Sequence, residues 1–204
     1  MIKILFNDKK ILLTEHYQQC LDDLSLKEAH ILFNVTRDKI LQCLDLLMIS
    51  EINHVVIEGN EADLLNGFRS IFKTIVAAGG VVTNGKNQYL FIFRRGKWDL
   101  PKGKREDDEG IEICALREVM EETGIKDVAI LAPLINTYHI YLEGEFIFKE
   151  TYWYLMQSHT SKLEPQLDEG ITKALWIHEK NISFQLNKTY ESVRDLMAIT
   201  LRHT

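Results

Sequence analysis

Three glutamates near the end of one predicted helix have the residue type and spacing that could do chemistry. Glu118, Glu121 and Glu122 lie at i, i+3 and i+4, so a helix places their carboxylates on one face. Like charges at this spacing destabilise a helix by roughly 0.2–0.5 kcal/mol per pair, and the C-terminal end of a helix disfavours negative charge. The cluster therefore predicts a compensating cation. Arg117 supplies part of one, and a hard divalent ion held by oxygen ligands, Mg²⁺ or Mn²⁺, would supply more. A solvated acidic helix face is the alternative explanation.

The helix that carries these acids is predicted to run from about Gly110 to Thr123. Apolar residues recur at helical spacing and form one stripe along it. Gly124 follows directly and is placed to end the helix in the left-handed conformation. The members of the predicted apolar stripe are Ile113, Leu116, Val119 and Met120.

The glutamates are part of a longer pattern that spans residues 103–125. It reads Gly, five residues, Glu, seven residues, Arg-Glu, an apolar residue, any residue, Glu-Glu, any residue, Gly and an apolar residue. This pattern resembles the signature of the Nudix hydrolase family, and every fixed position of that signature is filled. The match is specific for the fold and for metal-dependent chemistry, but it does not select a substrate. The filled positions are Gly103, Glu109, Arg117, Glu118, Val119, Glu121, Glu122, Gly124 and Ile125.

The resemblance covers residues 72 to 204 approximately and implies the Nudix fold, an α/β fold with a mixed β-sheet sandwiched between α-helices. We therefore predict a Nudix domain of residues 67–204, preceded by a small α/β segment of residues 1–66 whose role is unknown. In that segment we expect a β-hairpin between Lys3 and Thr14, and a helix over residues 40–48 for which Thr36 is the N-cap.

The resemblance also implies the chemistry, which is attack of water on the phosphorus of a phosphoanhydride. Glu118 and Glu122 are then the main metal ligands. Glu121 is a further ligand, direct or through water, and the main-chain carbonyl of Gly103 is a fourth. Two residues are implied to brace these ligands without touching the substrate, namely Arg117 and Glu109.

A further glutamate is implied as metal ligand or general base, since family members often draw one from a loop before the last strand. Glu169 lies at this point of the sequence, shortly before Trp176. Asp168 and Glu164 are rivals for the same role, and Glu121 is the second choice for the base. A surface acid without a catalytic role is the alternative for Glu169.

Cations are dense between residues 94 and 105, next to the acidic cluster. A basic strip beside an acidic metal site suits a polyanionic substrate. The run at 96–104, Gly-Lys-Trp-Asp-Leu-Pro-Lys-Gly-Lys, resembles Nudix members that act on diadenosine polyphosphates, diphosphoinositol polyphosphates and 5′-triphosphate RNA ends. Lys102 and Lys104 are the first predicted phosphate contacts, and Arg94 is the next. A charged surface loop is the alternative.

Composition narrows the class of protein. The chain of 204 residues is 46% hydrophobic and 26% charged, as in an ordinary globular protein. Its net charge of −6 argues against a general nucleic-acid binder, with a triphosphorylated RNA end as the exception. No apolar run approaches the ~20 residues that a membrane span needs. Cys20, Cys43 and Cys114 form no C-x-x-C pair, which favours reduced thiols in a cytoplasm.

Several alternatives stay open at this point. ADP-ribose is a second substrate class, because ADP-ribose hydrolases often carry an N-terminal extension. The segment 1–66 could select the substrate or form a homodimer. The chain could also be a nucleotide sensor or an assembly protein that uses a Nudix domain without significant turnover.

Overall fold

The chain folds into two compact units. The first comprises Met1–Ile75 and Tyr138–Glu150, and the second comprises Val76–Thr137 and Thr151–Thr204. This division differs from the predicted boundary between residues 66 and 67, because residues 138–150 group with the N-terminal residues. The structure is a computed structural model that describes residues 1–20, 29–33, 36–49 and 51–203.

Strands and helices are interspersed along the chain. The N-terminal part contains β1 (Ile2–Phe6), β2 (Lys9–Thr14), α1 (Tyr17–Cys20), β3 (His30–Leu32), α2 (Arg37–Ile49), β4 (His54–Glu58), α3 (Glu61–Ile71) and β5 (Lys73–Asn84). The middle part contains β6 (Gln88–Arg94), β7 (Lys97–Asp99), β8 (Lys102–Lys104), α4 (Ile111–Thr123), β9 (Ala129–Pro133), β10 (Thr137–Glu143) and β11 (Glu145–Gln157). The last part contains β12 (Ile171–His178), α5 (Ile182–Leu186) and α6 (Glu191–His203), with 3₁₀ turns at Leu167–Glu169 and Glu179–Asn181.

The sheet of the first unit has the strand order β10-β1-β2-β4-β3. β1 runs parallel to β10 and antiparallel to β2, and β4 runs parallel to both β2 and β3. The predicted hairpin is present as β1 and β2, and Asn7 takes the left-handed conformation in its turn, at φ 57°. Thr36 caps α2 as predicted, because its Oγ1 accepts a hydrogen bond from the Lys39 N–H at 3.4 Å.

The core of the first unit explains why residues 138–150 belong to it. One face of the sheet packs against α2 and α3, and the β10–β11 hairpin adds Tyr138, Ile140 and Phe148 to the same buried cluster. The rings of Tyr138 and Phe148 stack with their centroids 5.9 Å apart, and Phe68 of α3 lies 6.0 Å from Phe148. The hairpin is therefore buried by N-terminal residues.

The sheet of the second unit places β6 between β12 and β5, and these pairs are antiparallel. Successive residues of a strand point to opposite faces. Phe91 clusters with Leu196 of α6, whereas the adjacent Leu90 clusters with Val119 of α4. The sheet thus lies between two helices, and the chain as a whole contains both parallel and antiparallel pairs. The expected mixed α/β class is confirmed.

Helix α4 ends as predicted but is rotated relative to the predicted stripe. Gly124 adopts φ 75° and its N–H bonds to the Met120 carbonyl, which closes the helix. Val119 is buried as expected, but the side chain of Ile113 is 63% exposed. The stripe was wrong at Ile113 and Met120, because the buried face of α4 includes Glu118 and Glu122. The buried residues of this helix are Cys114, Ala115, Glu118, Val119, Glu122 and Thr123.

No helix among the described residues has the length and apolar character needed to cross a membrane.

Candidate active site

Pairing between β5 and β8 brings the start of the glutamate-rich pattern against α4. Gly103 lies opposite Ala78 in this pair, and Lys102 lies opposite Gly79. The side chain of Glu118 lies so close to Gly103 that a Cβ added at Gly103 would overlap its carboxylate. Glycine at position 103 therefore lets a buried carboxylate approach the main chain of β8. This is a physical reason for the first fixed position of the pattern.

Arg117 is the centre of a dense hydrogen-bond network. Its Nε and Nη2 donate to the two oxygens of Glu109, at 2.7 and 2.9 Å. Its Nη1 donates to Glu118 at 2.8 Å and to Glu121 at 3.0 Å, and its Nη2 also donates to the Lys104 carbonyl at 3.1 Å. The hydrogen bonds from Arg117 lower the pKa of Glu109 to about 2. The structure thus brings together all the residues of the predicted brace, whose role stays a prediction.

Glu122 is fully buried and only half of its carboxylate is bonded. Its Oε2 accepts a hydrogen bond from the main-chain N–H of Lys102 at 2.8 Å. Its Oε1 has no hydrogen-bond partner among the described residues. Burial raises the pKa of Glu122 to about 7, although the Lys102 ammonium acts in the opposite direction. The pKa of Glu118 is also raised, mainly by burial.

Lys102 is engaged by a partner that the sequence pattern did not reveal. Its ammonium lies 2.6 Å from Asp99 Oδ2, and the Asp99 side chain is buried. Burial lowers the pKa of Lys102, but Asp99 and Glu122 outweigh this effect, so the net pKa is raised. The ammonium is therefore directed to Asp99, and its role as a phosphate contact stays a prediction. Lys104 is exposed.

Arg94 and Glu169 meet beside Glu122, although the three residues come from distant parts of the sequence. Arg94 Nη1 lies 3.5 Å from Glu122 Oε1 and 3.4 Å from Glu169 Oε2. Glu169 ends the 3₁₀ turn before β12, and its side chain is 43% exposed. Of its rivals, Asp168 is exposed, and Glu164 forms an ion pair with Lys162.

The donor set suits a hard divalent ion. Mg²⁺ and Mn²⁺ prefer carboxylate and carbonyl oxygens, which Glu118, Glu122 and the Gly103 main chain provide, and Glu122 Oε1 is a buried acceptor without a donor in the described chain. Within the described ranges, no three His, Cys, Asp or Glu side chains are already assembled as a metal site. Guanidinium groups of Arg117 and Arg94 hold the acids instead. The residues fit the ion, provided that these contacts yield to it.

The comparison with protein families decides the relationship. Residues 73–198, more than half of the chain, match the NUDIX domain. The chain belongs to the NUDIX family.

Individual relatives of this Nudix protein match only part of its sequence. A putative mutator protein MutT4 from Mycobacterium tuberculosis is 33% identical over 129 residues, which cover 58% of this chain and 51% of the relative. The mRNA-decapping protein g5R of African swine fever virus is 37% identical over 60 residues, which cover 29% of this chain and 24% of that protein. The chain thus spans about half the length of the first relative and about a quarter of the second.

One solved structure was found to be similar to part of the chain. The MutT protein from Methanosarcina mazei Go1 is 21% identical, with a TM-score of 0.49, and the match covers 65% of this chain and 96% of that one.

Two contacts of the site were missed by sequence reasoning. The Asp99–Lys102 pair joins the end of β7 to the start of β8, and these strands of three residues each are too short to give a periodic signal in the sequence. The Arg94–Glu169 contact joins β6 to the turn before β12, and only the antiparallel pairing of β6 with β12 brings the two residues together.

Proposed function

We propose that this protein is a divalent-metal-dependent pyrophosphohydrolase that cleaves a phosphoanhydride bond in a nucleoside-diphosphate-linked or polyphosphorylated small molecule. The observation that carries the proposal is the buried carboxylate of Glu122, which has one oxygen without a donor in the described chain and lies within a complete Nudix signature. Burying a carboxylate with one oxygen that accepts no hydrogen bond lowers the stability of the protein. A cation ligand would offset that cost.

The ion would be held by Glu118, Glu122 and the main-chain carbonyl of Gly103, with Glu121 as a further ligand, direct or through water. When bound, Mg²⁺ or Mn²⁺ neutralises phosphate charge and helps to ionise the attacking water. Arg117 acts as a positioning residue that orients Glu118 and Glu121 through the hydrogen bonds described above.

Glu169 is the proposed general base. It is partly exposed, and the same nitrogen of Arg94, Nη1, contacts both Glu169 and the buried Glu122. A base must reach the attacking water within hydrogen-bond distance, and a half-exposed carboxylate beside the buried acids can do so. Glu121 is the second choice, since Arg117 already holds one of its oxygens at 3.0 Å.

The substrate class follows from the cations around the acids. Arg94 and the exposed Lys104 are the proposed phosphate contacts, and Lys102 joins them if its bond to Asp99 opens. A diadenosine-polyphosphate-like molecule is the first choice, and ADP-ribose is the second. The similarity to an mRNA-decapping protein supports keeping an RNA 5′ end among the candidates. Cys43 and Cys114 are free and buried, which supports the proposed cytoplasmic location.

The test is release of phosphate and nucleotide from a panel of diadenosine tetraphosphate, diphosphoinositol pentakisphosphate, triphosphorylated RNA, ADP-ribose and nucleoside triphosphates. Each reaction is run with Mg²⁺, with Mn²⁺ and with a chelator. Glu122→Gln removes the charge at nearly constant shape, and Glu112→Gln makes the same change at an exposed position of the same helix. We expect metal-dependent release that Glu122→Gln abolishes and Glu112→Gln retains.

Two results would contradict the proposal. Near-normal turnover by Glu122→Gln would show that the assignment of the metal ligands is wrong. Binding of panel compounds without release from any of them would favour a sensing or assembly role.

A further inference from the structure

Arg94 is held much less completely than Arg117. Three nitrogens of Arg117 donate hydrogen bonds of 3.1 Å or less to oxygen acceptors. By contrast, a single nitrogen of Arg94 faces both Glu122 and Glu169, at 3.5 and 3.4 Å. Its buried Nε–H has no acceptor in the part of the chain that the structure describes. Arg94 is thus an ion-pair partner of two acids without being locked to either.

The position of this guanidinium matters because it neutralises the carboxylates that a divalent ion would need. Glu122 Oε1, the oxygen without a hydrogen bond, is the oxygen nearest to Arg94. Two cations that approach the same carboxylate repel each other, and the repulsion is strong where water is largely excluded. Glu122 is fully buried, so Arg94 and the ion compete for it.

A phosphate group offers Arg94 a better acceptor than either glutamate. Guanidinium groups bind phosphate through two parallel N–H donors. The buried Nε–H lacks an acceptor in the described chain, so it can become one of these donors when the side chain moves. The side chain is 25% exposed, so a ligand can reach it. Movement of the guanidinium to a phosphate would release Glu122 and Glu169 together.

We propose that Arg94 is a resident counter-ion that weakens metal binding to the free protein until a phosphate of the substrate draws it away, so that tight metal binding requires the polyphosphate. This inference rests on the proposed function and adds a coupling between its two ligands. By thermodynamic linkage, the factor by which the phosphate ligand tightens metal binding equals the factor by which the metal tightens phosphate binding.

The first test measures the Kd of Mn²⁺ for the full chain without substrate, from the electron paramagnetic resonance signal of free Mn²⁺. Arg94→Met removes the cation and keeps a long side chain, and we expect it to tighten Mn²⁺ binding by about tenfold, because one unit charge beside the ligands is lost. Arg94→Lys keeps the charge and should keep an affinity close to that of the wild type. Arg95→Met makes the same change of net charge at the exposed next residue and should leave the Kd unchanged.

The second test measures the same Kd at saturating methylene-bridged diadenosine tetraphosphate, after subtraction of the metal that this analogue binds by itself. In the wild type, the analogue should tighten Mn²⁺ binding by about as much as Arg94→Met does alone. In Arg94→Met the analogue should tighten it much less, since no counter-ion is left to withdraw. Arg94→Gln repeats both measurements if the methionine variant does not fold.

An unchanged or weaker Mn²⁺ affinity in Arg94→Met would overturn the inference, and so would equal tightening in Arg95→Met. In either case Mn²⁺ binding that Glu122→Gln abolishes would leave the proposed function intact. Absence of Mn²⁺ binding to Arg94→Met, and to the wild type at saturating analogue, would overturn both.

Discussion

The two compact units each bury a glutamate, but they hold it in different ways. In the first unit, Glu150 is 2% exposed, and Arg69 donates to both of its oxygens, at 2.8 and 3.2 Å. In the second unit, Glu122 is 0% exposed, yet only its Oε2 accepts a hydrogen bond from the described residues. The same residue type at the same depth is therefore satisfied in one place and left incomplete in the other.

Under the proposed function, the difference separates a structural carboxylate, Glu150, from a metal-binding one, Glu122. Both oxygens of the buried Glu150 are bonded by the partly exposed Arg69, and removing the partner of a buried carboxylate is costly. A buried carboxylate with an unused oxygen lowers the stability of the free protein. Under the proposed function, metal binding would offset this cost at Glu122, and burial alone does not distinguish Glu122 from Glu150.

The largest expected difference between Glu122 and Glu150 is in turnover. Glu122→Gln should reduce the rate by about 10³-fold or more, which corresponds to about 4 kcal/mol of transition-state stabilisation. Glu150→Gln should leave turnover within a few fold, because this residue belongs to the structural pair. Steady-state kinetics with the best panel substrate compares the two variants. Equal losses would show that both glutamates act only through the fold.

The reverse experiment concerns stability. Arg69→Met leaves Glu150 buried without its partner and should lower the free energy of unfolding by about 3–5 kcal/mol. Urea denaturation followed by circular dichroism measures this change. Mn²⁺ affinity of the folded fraction should stay at the wild-type value. A loss below about 1 kcal/mol would mean that the Arg69–Glu150 pair is no stronger than an exposed ion pair.

A smaller effect is expected from the brace around Glu118. Arg117→Ala should weaken Mn²⁺ binding by about 10–100-fold, because residues that orient metal ligands typically contribute this much. The expected sign is opposite to that of Arg94→Met, although both variants remove one cation near the acids. Arg105→Ala at an exposed position is the charge-matched control. Tighter binding in Arg117→Ala would show that Arg117, too, is mainly a competitor of the ion.

The smallest effect is a pH dependence away from both glutamates. Hydrogen bonds from Ser158 and Thr160 hold the pKa of Asp127 well below its ordinary value of 3.8. A carboxyl whose pKa is lower in the folded protein than in the unfolded chain stabilises the fold at pH values above its unfolded-state pKa, here 3.8. This contribution is lost as the pH falls from 3.8 towards the folded-state pKa. Melting temperatures at about pH 6 and about pH 3 should therefore differ less in Asp127→Asn than in the wild type. Equal differences would show that these bonds add nothing to stability.

The sequence signature was more informative about which residues lie close together than about how α4 packs. It identified Gly103, Glu118 and Glu122, which the structure brings together, because the signature records local spacing on one loop and one helix. It did not show which face of α4 is buried, since apolar periodicity treats an acid as a solvent-facing residue. The inward turn of Glu118 reverses that assumption.

Contacts between distant residues were beyond the sequence analysis. The position of Arg94 between Glu122 and Glu169 depends on strand pairing, which no single segment encodes. The grouping of residues 138–150 with the N-terminal residues depends on the parallel pairing of β1 with β10.

The pairing of β1 with β10 has a consequence for fragments of this protein. The stretch that matches the family, residues 73–198, includes the hairpin whose Tyr138, Ile140 and Phe148 are buried by N-terminal side chains. A gene fragment cut at the limits of the match would encode three large apolar residues without the side chains that cover them. Recombination that separates the two stretches would therefore expose this apolar surface and favour aggregation.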